Sequence, residues 1–118
     1  MKVGLAGQGA FGVKHLDAIK NIPGIEVITL TGGNQEKTKE VAAKYGIPHY
    51  TGDLAESLKQ PGLEAMILAT PTQMHAAQGV QCMKAGKHVQ IEIPVCDTLA
   101  DADLLLKTQQ ETGVICMG

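Results

Sequence analysis

Three stretches of this sequence carry residue types at spacings that can do chemistry. The first is "KVGLAGQGAFG", Lys2 to Gly12, in which five mostly apolar residues run into Gly7, Gly9 and Gly12. Each glycine gives up packing and costs folding entropy, so three at this spacing call for a reason. Where a chain turns from strand to helix, such glycines let backbone N–H groups close around a phosphate. The second stretch is "ATPTQMH", Ala69 to His75, which sets Thr70, Pro71 and Thr72 ahead of a histidine able to hydrogen-bond or move a proton near neutral pH. The third is "HVQIEIP", His88 to Pro94, where Glu92 offers a carboxylate two residues before a proline. The other histidines, His15, His49 and His88, lack metal-ligand spacing and read as solvated or core residues. Cys82, Cys96 and Cys116 form no C-x-x-C pair and read as small buried hydrophobes. Met66, Met83 and Met117 read as core filler.

The elements that must position these residues alternate between two periods. Apolar runs at Val3 to Ala6, Ile25 to Leu30, Pro48 to Tyr50, Ala65 to Ala69, Lys87 to Ile91 and Val114 to Met117 predict six strands. Helices are expected between them, over Ala10 to Asn21, Asn34 to Tyr45, Asp53 to Lys59, Thr72 to Ala85 and Ala100 to Thr112. Gly46, Gly86 and Gly113 follow the second, fourth and fifth as stops, and Thr72 is expected as an N-cap. Apolar strands alternating with helices mean an α/β fold, a doubly wound parallel sheet with helices on both faces. Right-handed crossovers then favour the six-stranded Rossmann dinucleotide-binding order 3-2-1-4-5-6.

That frame gives the glycines a function. Gly7 permits the tight turn, Gly9 lets a pyrophosphate approach, and Gly12 lets the helix pack on its strand, with Ala10 and Phe11 opening that helix. The next strand runs into "TGGNQEK", Thr31 to Lys37, with no carboxylate at its tip. A carboxylate there bonds the ribose of NAD and repels a 2'-phosphate, so its absence admits NADP, with NAD as the other candidate. Thr31, Gly32, Gly33, Asn34 and Lys37 are the residues placed to meet that phosphate. Ligands of open parallel sheets sit outside the carboxyl ends of the strands. Thr70, Pro71, Thr72, His75, Glu92 and Pro94 therefore converge with Gly7 to Gly12 on one crevice.

Composition narrows the class. At 118 residues the chain is one domain, and its 44% hydrophobic and 19% charged residues are ordinary for a globular protein. A net charge of -2 with no Lys/Arg runs gives no footprint for nucleic acid. No apolar stretch approaches the ~20 residues of a membrane span. The start enters a strand directly, with no secretory signal, and the cysteine pattern fits a reducing cytoplasm.

The quoted stretches, with "AGKHVQIEIP" at Ala85 to Pro94, resemble the cofactor domain of the glucose-fructose oxidoreductase, inositol dehydrogenase and rhizopine-catabolism family. The resemblance runs the length of the chain. It implies an NAD(P)-dependent dehydrogenase taking hydride from a small hydroxy or hemiacetal substrate of aromatic-compound catabolism. It also implies a homo-oligomer in the full-length protein. His75, from its place in the first turn of the fourth helix, and Glu92, from its strand tip and the family pattern together, are the candidate catalytic residues. The family's strand-five lysine is replaced here by Ile93, so a general base is expected elsewhere. Family members continue into a substrate domain that these 118 residues do not contain. The rival reading is a non-catalytic domain that senses NAD(P) or coenzyme A.

Overall fold

A computed structural model describes residues 1–93 and 95–118. Its described residues form six strands, β1 (Lys2–Ala6), β2 (Glu26–Thr31), β3 (His49–Thr51), β4 (Ala65–Leu68), β5 (His88–Ile91) and β6 (Cys116–Met117). Five helices connect them: α1 (Ala10–Ile19), α2 (Gln35–Tyr45), α3 (Leu54–Leu58), α4 (Thr72–Lys84) and α5 (Leu99–Thr112). The strands are parallel throughout, in the order β3-β2-β1-β4-β5-β6. This is the predicted doubly wound sheet.

Period-two alternation along the strands splits the core in two. Leu5, Leu30 and Ile67 pack with Leu16 and Ile19 of α1 and Ala42 of α2. Their neighbours Ala6, Met66 and Leu68 face the other way, onto Leu54 and Leu58 of α3, Met83 of α4 and Leu105 of α5. Most strand positions are buried because helices cover both faces, which is why the strands read as continuous apolar runs.

The helix ends follow local chemistry. Asn34 caps α2 by accepting the Lys37 N–H, Asp53 caps α3 through Ala55, and Thr98 caps α5 through Asp101. Gly46 and Gly113 end α2 and α5 in the left-handed conformation, where a Cβ would be strained. Thr72 differs from expectation. Pro71 holds the N-cap position of α4 and Thr72 is the first helical residue, because the fixed φ of proline already sets the entry angle.

Other expectations are corrected. α1 stops at Ile19, and β6 is a two-residue strand because it pairs with β5 only at Cys116 and Met117. Met117 is exposed at this sheet edge, whereas Met66 and Met83 are fully buried. Cys82 is buried, but Cys96 and Cys116 are only half-buried.

One polar cluster crosses the core. The Ser57 hydroxyl on α3 lies 2.8 Å from Thr29 Oγ1 and 2.6 Å from Thr31 Oγ1, and Thr29 Oγ1 lies 2.7 Å from His49 Nδ1. Each hydroxyl finds a partner, as buried polar groups require.

Candidate dinucleotide site

The carboxyl ends of the parallel strands are tied side by side. Gly7 donates to the Thr31 carbonyl at 2.8 Å, Ala69 to Ala6 at 2.8 Å, Gly32 to Thr51 at 3.0 Å and Glu92 to Leu68 at 3.0 Å. The sheet ladder thus continues past the strands and fixes the loops where the candidate residues stand.

The three opening glycines have three different reasons. Gly7 has φ +112°, and a β-carbon on it would lie 2.8 Å from the Ala69 carbonyl carbon. It serves the turn and the approach of β1 to the end of β4. A β-carbon on Gly12 would overlap the Gly7 carbonyl oxygen, so Gly12 serves helix packing. Gly9 needs neither excuse: a β-carbon there meets nothing within 4 Å and its φ is -75°. The fold does not need a glycine at 9.

That open space belongs to a groove of about 450 Å³ lined by Gly7, Gln8, Gly9, Thr31, Gly32, Gly33, Ala69, Thr70 and Pro71, with Gly52, Leu54, Met74 and Gln78. A second recess of about 390 Å³ adjoins it, lined by Phe11, Ala69, Thr70, Pro71, Thr72, His75, Glu92 and Ile93. The two share the Ala69 to Pro71 tip and flank the N-terminus of α1, whose first-turn N–H groups and dipole favour an anion. Two compartments meeting at a helix N-terminus suit a ligand with two arms joined by phosphates. A cradle into which a side chain at position 9 would project fits a dinucleotide pyrophosphate.

The tip between the compartments is braced from α4. His75 is buried, with its Nε2 2.7 Å from the Thr70 carbonyl oxygen, so that nitrogen carries the donated hydrogen. The Thr70 hydroxyl donates to Gln78 Oε1 at 2.5 Å. Glu92 pairs through Oε2 with His15 Nε2, across from α1. Lys14 stands 5.5 Å from the Phe11 ring centroid, at the exposed edge of the recess. Burial pushes the Cys82 thiol up to about 12, with a smaller push from Cys116, whose own thiol burial also raises.

The structure thus brings together Gly7, Gly9, Thr31, Gly32 and Gly33 in the groove and Phe11, Thr72, His75 and Glu92 in the recess, with Thr70 and Pro71 in both. Ala10 begins α1 and Gly12 lies beneath it, off both linings. Asn34 and Lys37 are exposed and line neither compartment, and Asn34 Oδ1 is occupied in capping α2. The Thr31 hydroxyl turns to Ser57 in the core. Pro94 lies outside the described residues. Sequence reasoning missed Gln8, Met74, Gln78 and His15. Met74 and Gln78 share one face of α4 at a four-residue spacing, a signal that was present. Nothing local in the sequence links His15 to Glu92.

The description "Oxidoreductase family, NAD-binding Rossmann fold" matches residues 1–118. The chain belongs to that family. It is 54% identical over 117 residues to the 4-carboxy-2-hydroxymuconate-6-semialdehyde dehydrogenase of Sphingobium sp. strain SYK-6, covering 99% of this chain and 37% of that protein. The WlbA dehydrogenase of Bordetella pertussis, solved with NADH and UDP-GlcNAcA, superposes with a TM-score of 0.91 at 28% identity, covering 99% of this chain and 34% of that one. The biliverdin reductase of Synechocystis sp. PCC 6803, solved with biliverdin and NADP+, shares the fold with a TM-score of 0.90 at 22% identity, over 98% of this chain and 36% of that one. The chain therefore spans about a third of the relatives it matches. As a member of the family it is an NAD(P)-binding oxidoreductase domain. Among the described residues no helix is long and apolar enough to cross a membrane, and no His/Cys/Asp/Glu cluster could hold a metal ion.

Proposed function

We propose that this chain is the cofactor half of a dehydrogenase that binds NADP+ in preference to NAD+ and oxidises a small hydroxy or hemiacetal substrate. The observation that carries the cofactor reading is the pair of compartments that share the Ala69 to Pro71 tip, with the open space over Gly9 on the groove side. The groove takes the adenosine arm over Gly32 and Gly33, and the α1 N-terminus takes the pyrophosphate. The recess takes the nicotinamide arm, against the Thr70 to Thr72 tip. When bound, the cofactor supplies the hydride acceptor. This chain's own residues bind and orient it: His75 and Gln78 fix the tip, and Glu92 offers a carboxylate to the sugar hydroxyls.

The preference for NADP+ rests on the groove end. Gly32 and Gly33 stand there without a carboxylate, so a 2'-phosphate meets no opposing charge. The substrate class follows the likeness to the semialdehyde dehydrogenase. Ile93 is 78% exposed beside Glu92 and brings no proton-transfer group to the recess, so the general base comes from another part of the protein. In this reading a further domain closes the substrate side and mediates homo-oligomerisation.

Titration of the chain with NADPH, followed by nicotinamide fluorescence, tests the proposal against a coenzyme A sensor. Saturable NADPH binding, displaced by NADP+ more readily than by NAD+, is expected. Binding of coenzyme A without either dinucleotide would overturn the dehydrogenase reading.

A further inference from the structure

His15 stands in the second turn of α1, and Glu92 is the first residue beyond β5, 77 positions later. Their side chains are 25% and 32% exposed and joined through Nε2 and Oε2. The pair is a partition. Glu92 faces the recess beside Thr72 and His75, while His15 lines an apolar groove of about 480 Å³ on the α1 side of the sheet. The Glu92 backbone is already pinned to Leu68, so the side chain is what remains to be ordered. An unheld glutamate samples many rotamers, and ordering one on ligand binding lowers affinity. A partner in place beforehand removes that cost.

We propose that His15 is a positioning residue for Glu92. It holds one carboxylate oxygen and leaves the other presented to the nicotinamide half of a bound dinucleotide. Resting on the dinucleotide reading above, the inference adds a residue from outside the compartments to the site. Nε2 carries the hydrogen and donates it to the carboxylate, a charge-assisted bond with tighter geometry than a neutral one. Acting through Glu92, His15 affects only the arm of the ligand that Glu92 meets.

The test compares two ligands on the 118-residue chain. NADPH has both arms, whereas ADP carries adenosine and pyrophosphate without the nicotinamide half. His15→Leu keeps apolar bulk against the groove and removes the donor, and His15→Gln keeps an N–H donor. His15→Leu is expected to weaken NADPH about tenfold, the scale of one hydrogen bond to a charged group, and to leave ADP unchanged. His15→Gln should recover most of the loss. In a Glu92→Ala background, His15→Leu should have no further effect, since nothing is left to position. Unchanged NADPH affinity in His15→Leu, an equal loss for ADP, or a full additional loss in the Glu92→Ala background would each overturn the inference. So would a His15→Gln variant as weak as His15→Leu. Failure of the unmodified chain to bind NADPH would instead remove the dinucleotide reading itself.

Discussion

Gly12 lies so close to Gly7 that a β-carbon on the first would overlap the carbonyl oxygen of the second. Two residues away, a β-carbon on Gly9 would meet nothing within 4 Å. Equal in the sequence, these glycines are therefore unequal in the fold. Gly12→Ala should lower stability by about 3 kcal/mol, as overpacking against rigid backbone does. Gly9→Val should unfold at nearly the same denaturant midpoint as the unmodified chain and lose NADPH binding. Urea unfolding and NADPH titration of the two variants check both halves. A folded Gly9→Val variant with intact affinity would reduce the motif to a turn.

In the proposed reading, cofactor choice is set at the groove end. Gly32 is hemmed in, since a β-carbon there would press on the Gln8 amide and the Thr38 hydroxyl, but Gly33 faces open space. Gly33→Asp is thus the tolerable way to place a carboxylate near a 2'-phosphate. It should weaken NADP+ about fivefold to tenfold and change NAD+ much less, from a repulsion of roughly 1 kcal/mol through water. Competition against NADPH fluorescence measures both. Equal effects on the two cofactors would place the 2'-phosphate elsewhere.

Ser57 serves two strand hydroxyls at once. Ser57→Ala leaves Thr31 Oγ1 without that partner and takes one of two from Thr29, in a fully buried setting. A loss of about 1 to 3 kcal/mol is expected in chemical denaturation, the cost of an unsatisfied buried group. Because Thr31 also lines the groove, NADPH affinity should fall modestly with it.

The buried Cys82 thiol gives stability a pH dependence at the alkaline end. Its pKa rises from 9.0 to about 12 on folding, so between those values the unfolded chain has released the proton and the native one has kept it. Stability from this group is whole below pH 9.0 and is lost as pH rises toward about 12. Cys82→Ala should flatten that alkaline decline in a series of urea melts. In the native protein at pH 8, alkylation followed by mass spectrometry should find Cys96 modified well before Cys82.

The sequence by itself determined the sheet. Apolar runs such as "AMILA" at Ala65 to Ala69 must be buried on both faces, and the helical segments between them leave few ways to cover such strands. It also determined the glycine turn and the convergence of Thr70, His75 and Glu92, because the strand ends of a parallel sheet share one edge. The tertiary structure decided which side chains are free to meet a ligand. The spacing of Thr31 predicts a phosphate ligand, but its hydroxyl turns to Ser57, and Asn34 spends its side-chain carbonyl on a helix end. Glu92 has no partner nearby in the sequence, yet His15 holds it. Periodicity reports which face a residue occupies, but a hydrogen-bond partner 77 positions away is set by how α1 lies across the sheet. That packing depends on side-chain volumes summed over two cores, which no local pattern carries.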